Sequence, residues 1–199
     1  YVSLGPCCHQ GRTPPCSDAL LKAGIGRVVY AAQDPNPQVN GGGGQALRAA
    51  GIEVEVVGGE WGGASRELNI GFFSRMLRGK PWVRMKVAAS LDGRTALADG
   101  TSQWITGEAA RADGHAWRKR AGAVLTGIGT VRDDDPRLDV RLVSTEVQPS
   151  RVVVDSRLEI SAAARMLQPP GRALIYTTRS DVSRASALAS DSVEVATLP

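Results

Sequence analysis

The sequence has 199 residues, of which 42% are hydrophobic and 22% are charged, the balance of an ordinary globular protein. This length allows one large domain or two small ones, with a core that needs no disulfides. The composition excludes a disordered, collagen-like or coiled-coil chain. Because no apolar run approaches the roughly 20 residues of a membrane span, we expect no membrane partner.

The formal net charge of +4 is spread evenly along the chain. Residues 1–80 hold 8 Lys/Arg and 6 Asp/Glu, and residues 81–199 hold 16 and 14. Nucleic-acid-binding proteins concentrate positive charge in a patch, so we expect no nucleic-acid partner. Mild basicity suits either a phosphorylated small molecule as ligand or a solvated surface rich in arginine.

The first eighty residues predict alternating strands and helices, which is typical of an α/β fold with a parallel or mixed sheet. In chain order, we predict a strand at residues 1–4, a helix opened by Pro14-Pro15 and ended by Gly24 or Gly26, a strand over Arg27–Ala32, a turn at 34–37, a loose loop at Gly41–Gly44, a helix over Gln45–Ala50, a strand over Ile52–Val57 and helical residues 60–78.

A boundary is predicted at Gly79-Lys80-Pro81, which gives domains at 1–79 and 80–199. After it, we predict a strand over Trp82–Ala89, a turn at 91–94 into a short strand, a helix over Gly107–Arg120 capped by Thr106, a strand over Ala121–Thr126 ended by Gly127-Ile128-Gly129, a turn at 133–136, and strands over Arg151–Asp155, Ala173–Thr177 and Val193–Ala196.

The three cysteines, Cys7, Cys8 and Cys16, lie within ten residues of each other. This clustering favours a reducing compartment and a metal or reactive-thiol site. Cys16 falls in the first turn of a predicted helix, where the helix dipole lowers the pKa of a thiol. Two thiolates can occupy two corners of a zinc tetrahedron. The alternative is three buried apolar cysteines.

Zinc nucleobase deaminases combine a Pro-Cys-x-x-Cys segment with His-x-Glu, whose Glu moves protons. Here the residues two positions after His9 and His115 are Gly11 and Trp117, so neither histidine begins His-x-Glu. We therefore expect the third zinc ligand and the proton shuttle to lie upstream of residue 1, with His9 as a substitute ligand the alternative.

Five segments resemble the bifunctional riboflavin-biosynthesis deaminase–reductases. They are GPCCHQGRTPPC at 5–16, QDPNPQV at 33–39, AGIEVEV at 50–56, KVAASLDGRTALADGTSQWIT at 86–106 and GIGTVRDDDPRLDVR at 127–141. The resemblance covers nearly all of the chain. It implies the C-terminal part of a cytidine-deaminase-like α/β domain, followed by the N-terminal part of a dihydrofolate-reductase-like α/β domain, in a cytoplasmic protein that is incomplete at both ends.

The same resemblance implies zinc and NADPH as cofactors and a phosphorylated aminopyrimidine as substrate. Cys7 and Cys16 match zinc ligands and Cys8 does not, while Gly5 stands where the family has Glu. Matches to NADPH-contact positions are Ala88, Trp104, Thr130, Asp134 and Ser156; matches to substrate-contact positions are Ser102, Arg118, Leu138 and Arg141, to which we add Lys86 as a hydrogen-bond donor.

Elementary chemistry agrees in part with these matches. Arg118 and Arg141 can grip a ribose phosphate through bidentate hydrogen bonds, although a solvated helix face also suits Arg118. Trp104 can border a nicotinamide ring or pack in a core. Gly127-Ile128-Gly129 can present backbone N–H groups to a phosphate or form an ordinary turn.

The implied function is zinc-dependent deamination of a phosphoribosylaminopyrimidine, followed by NADPH-dependent reduction of its ribosyl side chain to ribityl. Two alternatives are a monofunctional NADPH reductase with a vestigial zinc module and a non-catalytic pyrimidine-binding module. A homo-oligomer is compatible with the sequence.

Overall fold

Two parallel β-sheets organise the chain, one in each of two units that comprise residues 1–85 and 86–199. A computed structural model describes residues 1–168 and 170–199. Each unit has its own buried apolar cluster. The predicted α/β class with parallel sheets is confirmed, whereas the boundary at residues 79–81 stays a prediction.

The first unit has a three-stranded sheet in the order β1-β2-β3. Alternate residues of the central strand, Val28, Tyr30 and Ala32, are buried, and the first two pack with Leu47 and Ile52. The elements are β1 (Val2–Leu4), α1 (Cys16–Lys22), β2 (Arg27–Ala32), α2 (Gly42–Ala49), β3 (Glu53–Val56), α3 (Gly59–Leu68) and α4 (Ile70–Arg78).

Two predictions in this unit need correction. The segment Gly41–Gly44 is not a loose loop, because α2 begins at Gly42 and Gly41 caps it in the left-handed conformation, with φ 76°. Residues 60–78 form two helices that meet at Asn69. The side-chain amide of Asn69 donates to the carbonyl of Ser65 at 2.8 Å, the kind of local bond with which asparagine ends a helix.

The second unit has a four-stranded sheet in the order β4-β5-β6-β7. Val153 and Ile175 of its two central strands are 0% exposed and pack against Leu158, Ile160 and Met166. The elements are α5 (Glu108–Arg120), β4 (Ala123–Gly127), α6 (Ile128–Asp134), β5 (Ser150–Val154), a short 3-10 helix (Arg165–Leu167), β6 (Ala173–Thr177), α7 (Val182–Leu188) and β7 (Val193–Thr197).

The predicted strand Trp82–Ala89 is wrong. The described residues 82–89 are irregular, and Val83 and Met85 are 78% and 85% exposed. Their alternation of apolar residues suits a strand, but a strand also needs a hydrogen-bonded neighbour, and neither described sheet includes this segment. The short strand predicted after residues 91–94 is absent from the described residues for the same reason.

Smaller corrections concern the ends of α5 and α6. Gly107, not Thr106, occupies the N-cap of α5, and the carbonyl of Thr106 instead accepts a hydrogen bond from Arg111 at 2.6 Å. Asp134 belongs to the last turn of α6 and not to the predicted turn. Within the described chain, no helix has both the length and the apolarity to cross a membrane.

Candidate functional site

The structure brings Cys7 and Cys16 together. Their sulfur atoms are 3.2 Å apart, and the backbone N–H of Cys16 donates to the Cys7 sulfur, also at 3.2 Å. The N–H of Ser17 donates to the carbonyl of Cys7 at 3.1 Å, which ties the cysteine loop to the first turn of α1. Cys8 is exposed, and its sulfur lies against Gly42 of α2.

The predicted lowering of the Cys16 pKa is wrong. The hydrogen bond with Cys7, and then desolvation by surrounding atoms, raise the pKa of this thiol above its usual value. The charge of a nearby Cys7 thiolate acts in the same direction, because two sulfurs this close disfavour two negative charges. A divalent cation is the kind of ligand that removes such repulsion.

A run of glycines lets α2 lie against the cysteine loop. A Cβ atom added at Gly43 would lie 2.0 Å from the carbonyl oxygen of Pro6, and one at Gly42 would lie 2.6 Å from the sulfur of Cys8. Real atoms do not approach this closely, so any side chain at position 43 displaces the Pro6-Cys7 peptide. The sequence indicated a flexible loop here, whereas the glycines allow close packing.

Two thiols fit part of a zinc site. Two sulfurs bound to one zinc ion in tetrahedral geometry lie about 3.8 Å apart, so the sulfurs of Cys7 and Cys16, at 3.2 Å, need to separate slightly to share an ion. Among the described residues, no group of three or more His, Cys, Asp or Glu side chains is placed to hold a metal. His9 is not grouped with the two cysteines in this way, and its buried Nδ1 atom has no hydrogen-bond partner within the described residues.

In the second unit, a predicted substrate contact meets a predicted cofactor contact. The hydroxyl of Ser102 lies 3.4 Å from Oδ1 of Asp134, at the end of α6. Thr130 lies one helical turn earlier, on the same face of α6. The structure therefore brings together a residue from each of the two ligand sets.

The carboxyl ends of β4 and β5 place two further candidates at one edge of the sheet. Gly127 pairs with Val154, so the start of α6 and the segment at Ser156 follow neighbouring strand ends. Ligands of open α/β sheets bind at this edge. Ser156 is exposed, and its carbonyl accepts hydrogen bonds from the hydroxyls of Thr177 and Thr178 at 3.2 and 3.1 Å.

Arginines surround one buried carboxylate, that of Asp139. Its two oxygens accept hydrogen bonds from Arg137 at 2.9 Å and Arg141 at 2.8 Å, and its backbone carbonyl accepts one from Arg118 at 3.1 Å. Burial opposes ionisation of Asp139, but the hydrogen bonds and charges of Arg137 and Arg141 prevail and lower the pKa of this carboxyl. The Asp139 charge also acts on Arg151, which is fully buried.

Side chains also hold the backbone of this irregular segment. The N–H of Arg141 donates to Nδ1 of His115 at 3.1 Å, and Gln148 forms two hydrogen bonds with the backbone of Val140, at 2.8 and 2.9 Å. Burial, followed by the charges of Arg118 and Arg141, lowers the pKa of His115 to about 4. The imidazole is therefore neutral near pH 7 and accepts the hydrogen bond.

The remaining candidates differ in their surroundings. Leu138 is buried with φ 56°. Trp104 is 68% exposed, and the guanidinium of Arg111 lies 4.6 Å from its ring centroid, so the core-packing alternative for Trp104 is wrong. Lys86 is exposed and Ala88 is half-buried, both in the irregular segment that replaces the predicted strand.

Residues 81–198 match the family model described as RibD C-terminal domain. The chain belongs to this family. It is 44% identical over 195 residues to the riboflavin biosynthesis protein RibD of Aquifex aeolicus, a match that covers 98% of this chain and 54% of that protein. The chain thus spans about half the length of the curated RibD relatives it matches.

Solved structures agree with the RibD assignment. RibD of Acinetobacter baumannii, form 1, matches with a TM-score of 0.84 at 44% identity, over 99% of this chain and 55% of that one. A diaminohydroxyphosphoribosylaminopyrimidine deaminase/5-amino-6-(5-phosphoribosylamino)uracil reductase of Thermotoga maritima matches with a TM-score of 0.84 at 34% identity, over 98% of this chain and 54% of that one.

The roles assigned to individual residues stay predictions. We call the group around Asp139 the arginine cluster; it comprises Arg118, Arg137, Asp139, Arg141 and Arg151 with His115 and Gln148. Sequence reasoning missed all of these except Arg118 and Arg141. The spacing of Arg137, Asp139 and Arg141 is visible in the sequence, but within residues 137–141 the resemblance marks only Leu138 and Arg141 as substrate contacts. It carries no signal that one buried carboxylate joins the two arginines.

Proposed function

We propose that the chain is part of a two-step enzyme of riboflavin biosynthesis. Its first unit is the C-terminal part of a cytidine-deaminase-like domain, and its second unit is the N-terminal part of a dihydrofolate-reductase-like domain. The substrate is a phosphorylated aminopyrimidine. Membership of residues 81–198 in the RibD C-terminal domain family supports the reductase half, and the contact between Ser102 and Asp134 is the observation that carries it.

In the first unit, Cys7 and Cys16 hold zinc, which supplies an activated water for hydrolysis of the amine when it is bound. The separation of 3.2 Å between their sulfurs supports this assignment. The N–H of Cys16 donates to the Cys7 sulfur, so this bond orients the sulfur. Gly43 keeps the cysteine loop in place because it leaves room for the Pro6 carbonyl.

In the second unit, the protein positions two ligands, and NADPH supplies the hydride when it is bound. Thr130 and Ser156 hold the cofactor at the carboxyl edge of the sheet. Ser102 and Asp134 lie where cofactor and substrate meet, and Arg118 and Arg141 bind the substrate phosphate. The other assigned contacts are Ala88 and Trp104 for NADPH and Leu138 and Lys86 for the substrate.

Activity of the natural full-length protein tests the proposal. Incubation with the aminopyrimidine should release ammonia, and addition of NADPH should then cause its oxidation as the ribosyl chain is reduced. NADPH oxidation with a deaminated substrate but no ammonia release would favour the monofunctional reductase. Binding of the pyrimidine without either reaction would favour the non-catalytic module.

We propose that the protein acts in the reducing cytoplasm, because its three cysteines lie within ten residues of each other and are not spread along the chain as disulfide partners usually are. Light scattering of the full-length protein tests whether it is a homo-oligomer.

A further inference from the structure

The arginine cluster includes Arg137 and Asp139, to which neither the family resemblance nor the comparisons assign a role. Arg137 and Asp139 flank Leu138, a predicted substrate contact, in the segment that ends at Arg141. The two oxygens of Asp139 each accept a hydrogen bond from a different guanidinium, Arg137 at 2.9 Å and Arg141 at 2.8 Å. The two guanidinium groups are therefore neighbours.

The Asp139 side chain is buried, whereas the two arginine side chains that bind it are partly exposed. The Asp139 side chain is 6% exposed, whereas those of Arg137 and Arg141 are 41% and 44% exposed. Arg137 uses Nε and Arg141 uses one terminal nitrogen for Asp139. Within the described residues, the other guanidinium N–H groups of these two arginines have no protein partner. They remain able to donate to an oxyanion from solvent.

The charges of the cluster favour an anion with more than one negative charge. Four guanidinium groups, those of Arg118, Arg137, Arg141 and Arg151, interact with the single carboxylate of Asp139. His115 adds no charge near pH 7, because it is neutral there. A phosphate monoester carries nearly two negative charges at this pH, and its oxygens match the fork geometry of arginine.

We propose that Arg137 is a further phosphate-binding residue beside Arg118 and Arg141, and that Asp139 is the positioning residue that holds the guanidinium groups of Arg137 and Arg141 toward the substrate phosphate. The proposal rests on the proposed reductase function for the identity of the substrate. It deepens that function, because it names the side chains that select a phosphorylated over an unphosphorylated ribosylaminopyrimidine.

The first experiment compares two substrates in the natural full-length protein. Arg137→Ala should raise KM for the phosphorylated substrate by about ten- to a hundredfold, as loss of a charge-assisted contact does, with little change in kcat. KM for the dephosphorylated substrate should not change. Arg172→Ala removes an arginine that is 68% exposed and pairs with Glu194, and this matched control should leave both KM values as they are.

Asp139→Asn separates positioning from simple charge. If Asp139 only neutralises the arginines, its loss raises the local positive charge and tightens phosphate binding. If it positions them, KM for the phosphorylated substrate rises despite the extra charge, and we expect this rise to be about tenfold. A lower KM for the phosphorylated substrate in this variant would overturn the positioning role.

Binding of ribose 5-phosphate gives a readout that needs no turnover, with ribose as the ligand that lacks phosphate. Calorimetric titration should show weaker binding of ribose 5-phosphate to Arg137→Ala than to wild type, and no difference for ribose. If wild type does not reduce the aminopyrimidine but Arg137→Ala still weakens ribose 5-phosphate binding, the reductase function fails and the phosphate site stands.

If Arg137→Ala and Arg172→Ala behave alike toward both substrates and toward ribose 5-phosphate, the phosphate site is wrong while the reductase function stands. Should Asp139→Asn fail to fold, Arg137→Lys completes the test. Lysine keeps the charge but loses the fork, so KM for the phosphorylated substrate should lie between those of wild type and Arg137→Ala.

Discussion

At the scale of single residues, the imidazole of His115 is held neutral by its surroundings. Burial, then Arg118 and Arg141, lower its pKa to about 4, against 6.5 in an exposed histidine. Between these two values the unfolded chain binds more protons than the folded chain. The contribution of neutral His115 to the free energy of unfolding is therefore complete above about pH 6.5. As the pH drops to about 4, the free energy of unfolding should fall by at most about 3 kcal/mol.

Urea unfolding of wild type and His115→Asn across this pH range tests the effect. Asparagine keeps a hydrogen-bond acceptor near the N–H of Arg141 but does not titrate. Asp139 has a lowered pKa, so its contribution is lost only below about pH 3.8, outside this range. Wild type should lose more stability than the variant between about pH 6.5 and about pH 4, and equal losses would contradict the assigned pKa.

The thiols of the first unit should differ in their effect on zinc content. Cys7→Ser or Cys16→Ser should deplete zinc from the natural full-length protein, because each removes one of two sulfurs that lie 3.2 Å apart. Cys8→Ser should leave zinc nearly intact, because the Cys8 sulfur lies against Gly42. Elemental analysis after purification without chelator measures this. Equal zinc loss in all three variants would show that the ligands are misassigned.

At this scale, the sequence predicts contacts between residues that are close in the chain, but not the distances or conformations that the fold imposes on them. The motif around Cys7 and Cys16 predicts the pair, because both lie in one loop and the helix it enters. The pKa of Cys16 depends on the distance between the two sulfurs, and the sequence does not contain that distance. Asp139 joins Arg137 and Arg141 next to Leu138, which adopts φ 56°, a conformation that nothing in its residue type indicates.

At the scale of secondary-structure elements, the packing of α2 against the cysteine loop requires a glycine at position 43. Gly43→Ala should destabilise the first unit by about 1–3 kcal/mol, because its Cβ would lie 2.0 Å from the Pro6 carbonyl oxygen. Gly63→Ala, within α3, is the matched control, because a Cβ there meets no described atom within 4 Å. It should stabilise the helix by up to about 1 kcal/mol.

Thermal unfolding of the two glycine variants, monitored by circular dichroism, measures the difference. Gly43→Ala should also lower the zinc content of the full-length protein, since the displaced peptide belongs to Pro6 and Cys7, whereas Gly63→Ala should not. A Gly43→Ala protein as stable as Gly63→Ala would show that α2 and the cysteine loop move apart without cost.

Elements whose pattern is local were predictable. The apolar runs of β2 and β5 appear in the sequence; β2 forms where expected, and β5 begins and ends one residue earlier than predicted. The segment Trp82–Ala89 has an equally apolar pattern and forms no strand, because strand formation also depends on a neighbour distant in the chain. The sequence predicts the C-terminal end of α2 but not its N-terminal end. A run of glycines is compatible both with a loop and with a helix that packs closely against another backbone, so it does not show where α2 begins.

At the scale of the whole molecule, the proposed reductase needs two ligands in separate pockets that meet at the reacting atoms. The structure places Asp134 and Ser102 in contact, with Asp134 on α6 after β4. Arg141 instead belongs to the cluster around Asp139. In the proposed reductase, Asp134 and Arg141 therefore report on different ligands.

Steady-state kinetics of the natural full-length protein, with each ligand varied separately, tests this division. Arg141→Ala should raise KM for the phosphorylated substrate by about ten- to a hundredfold, because it removes a charge-assisted bidentate contact, and change KM for NADPH much less. Asp134→Ala should weaken NADPH binding more than substrate binding. Arg172→Ala should change neither constant. An Arg141→Ala protein with an unchanged KM for substrate and weakened NADPH binding would mean that the two pockets are assigned the wrong way round.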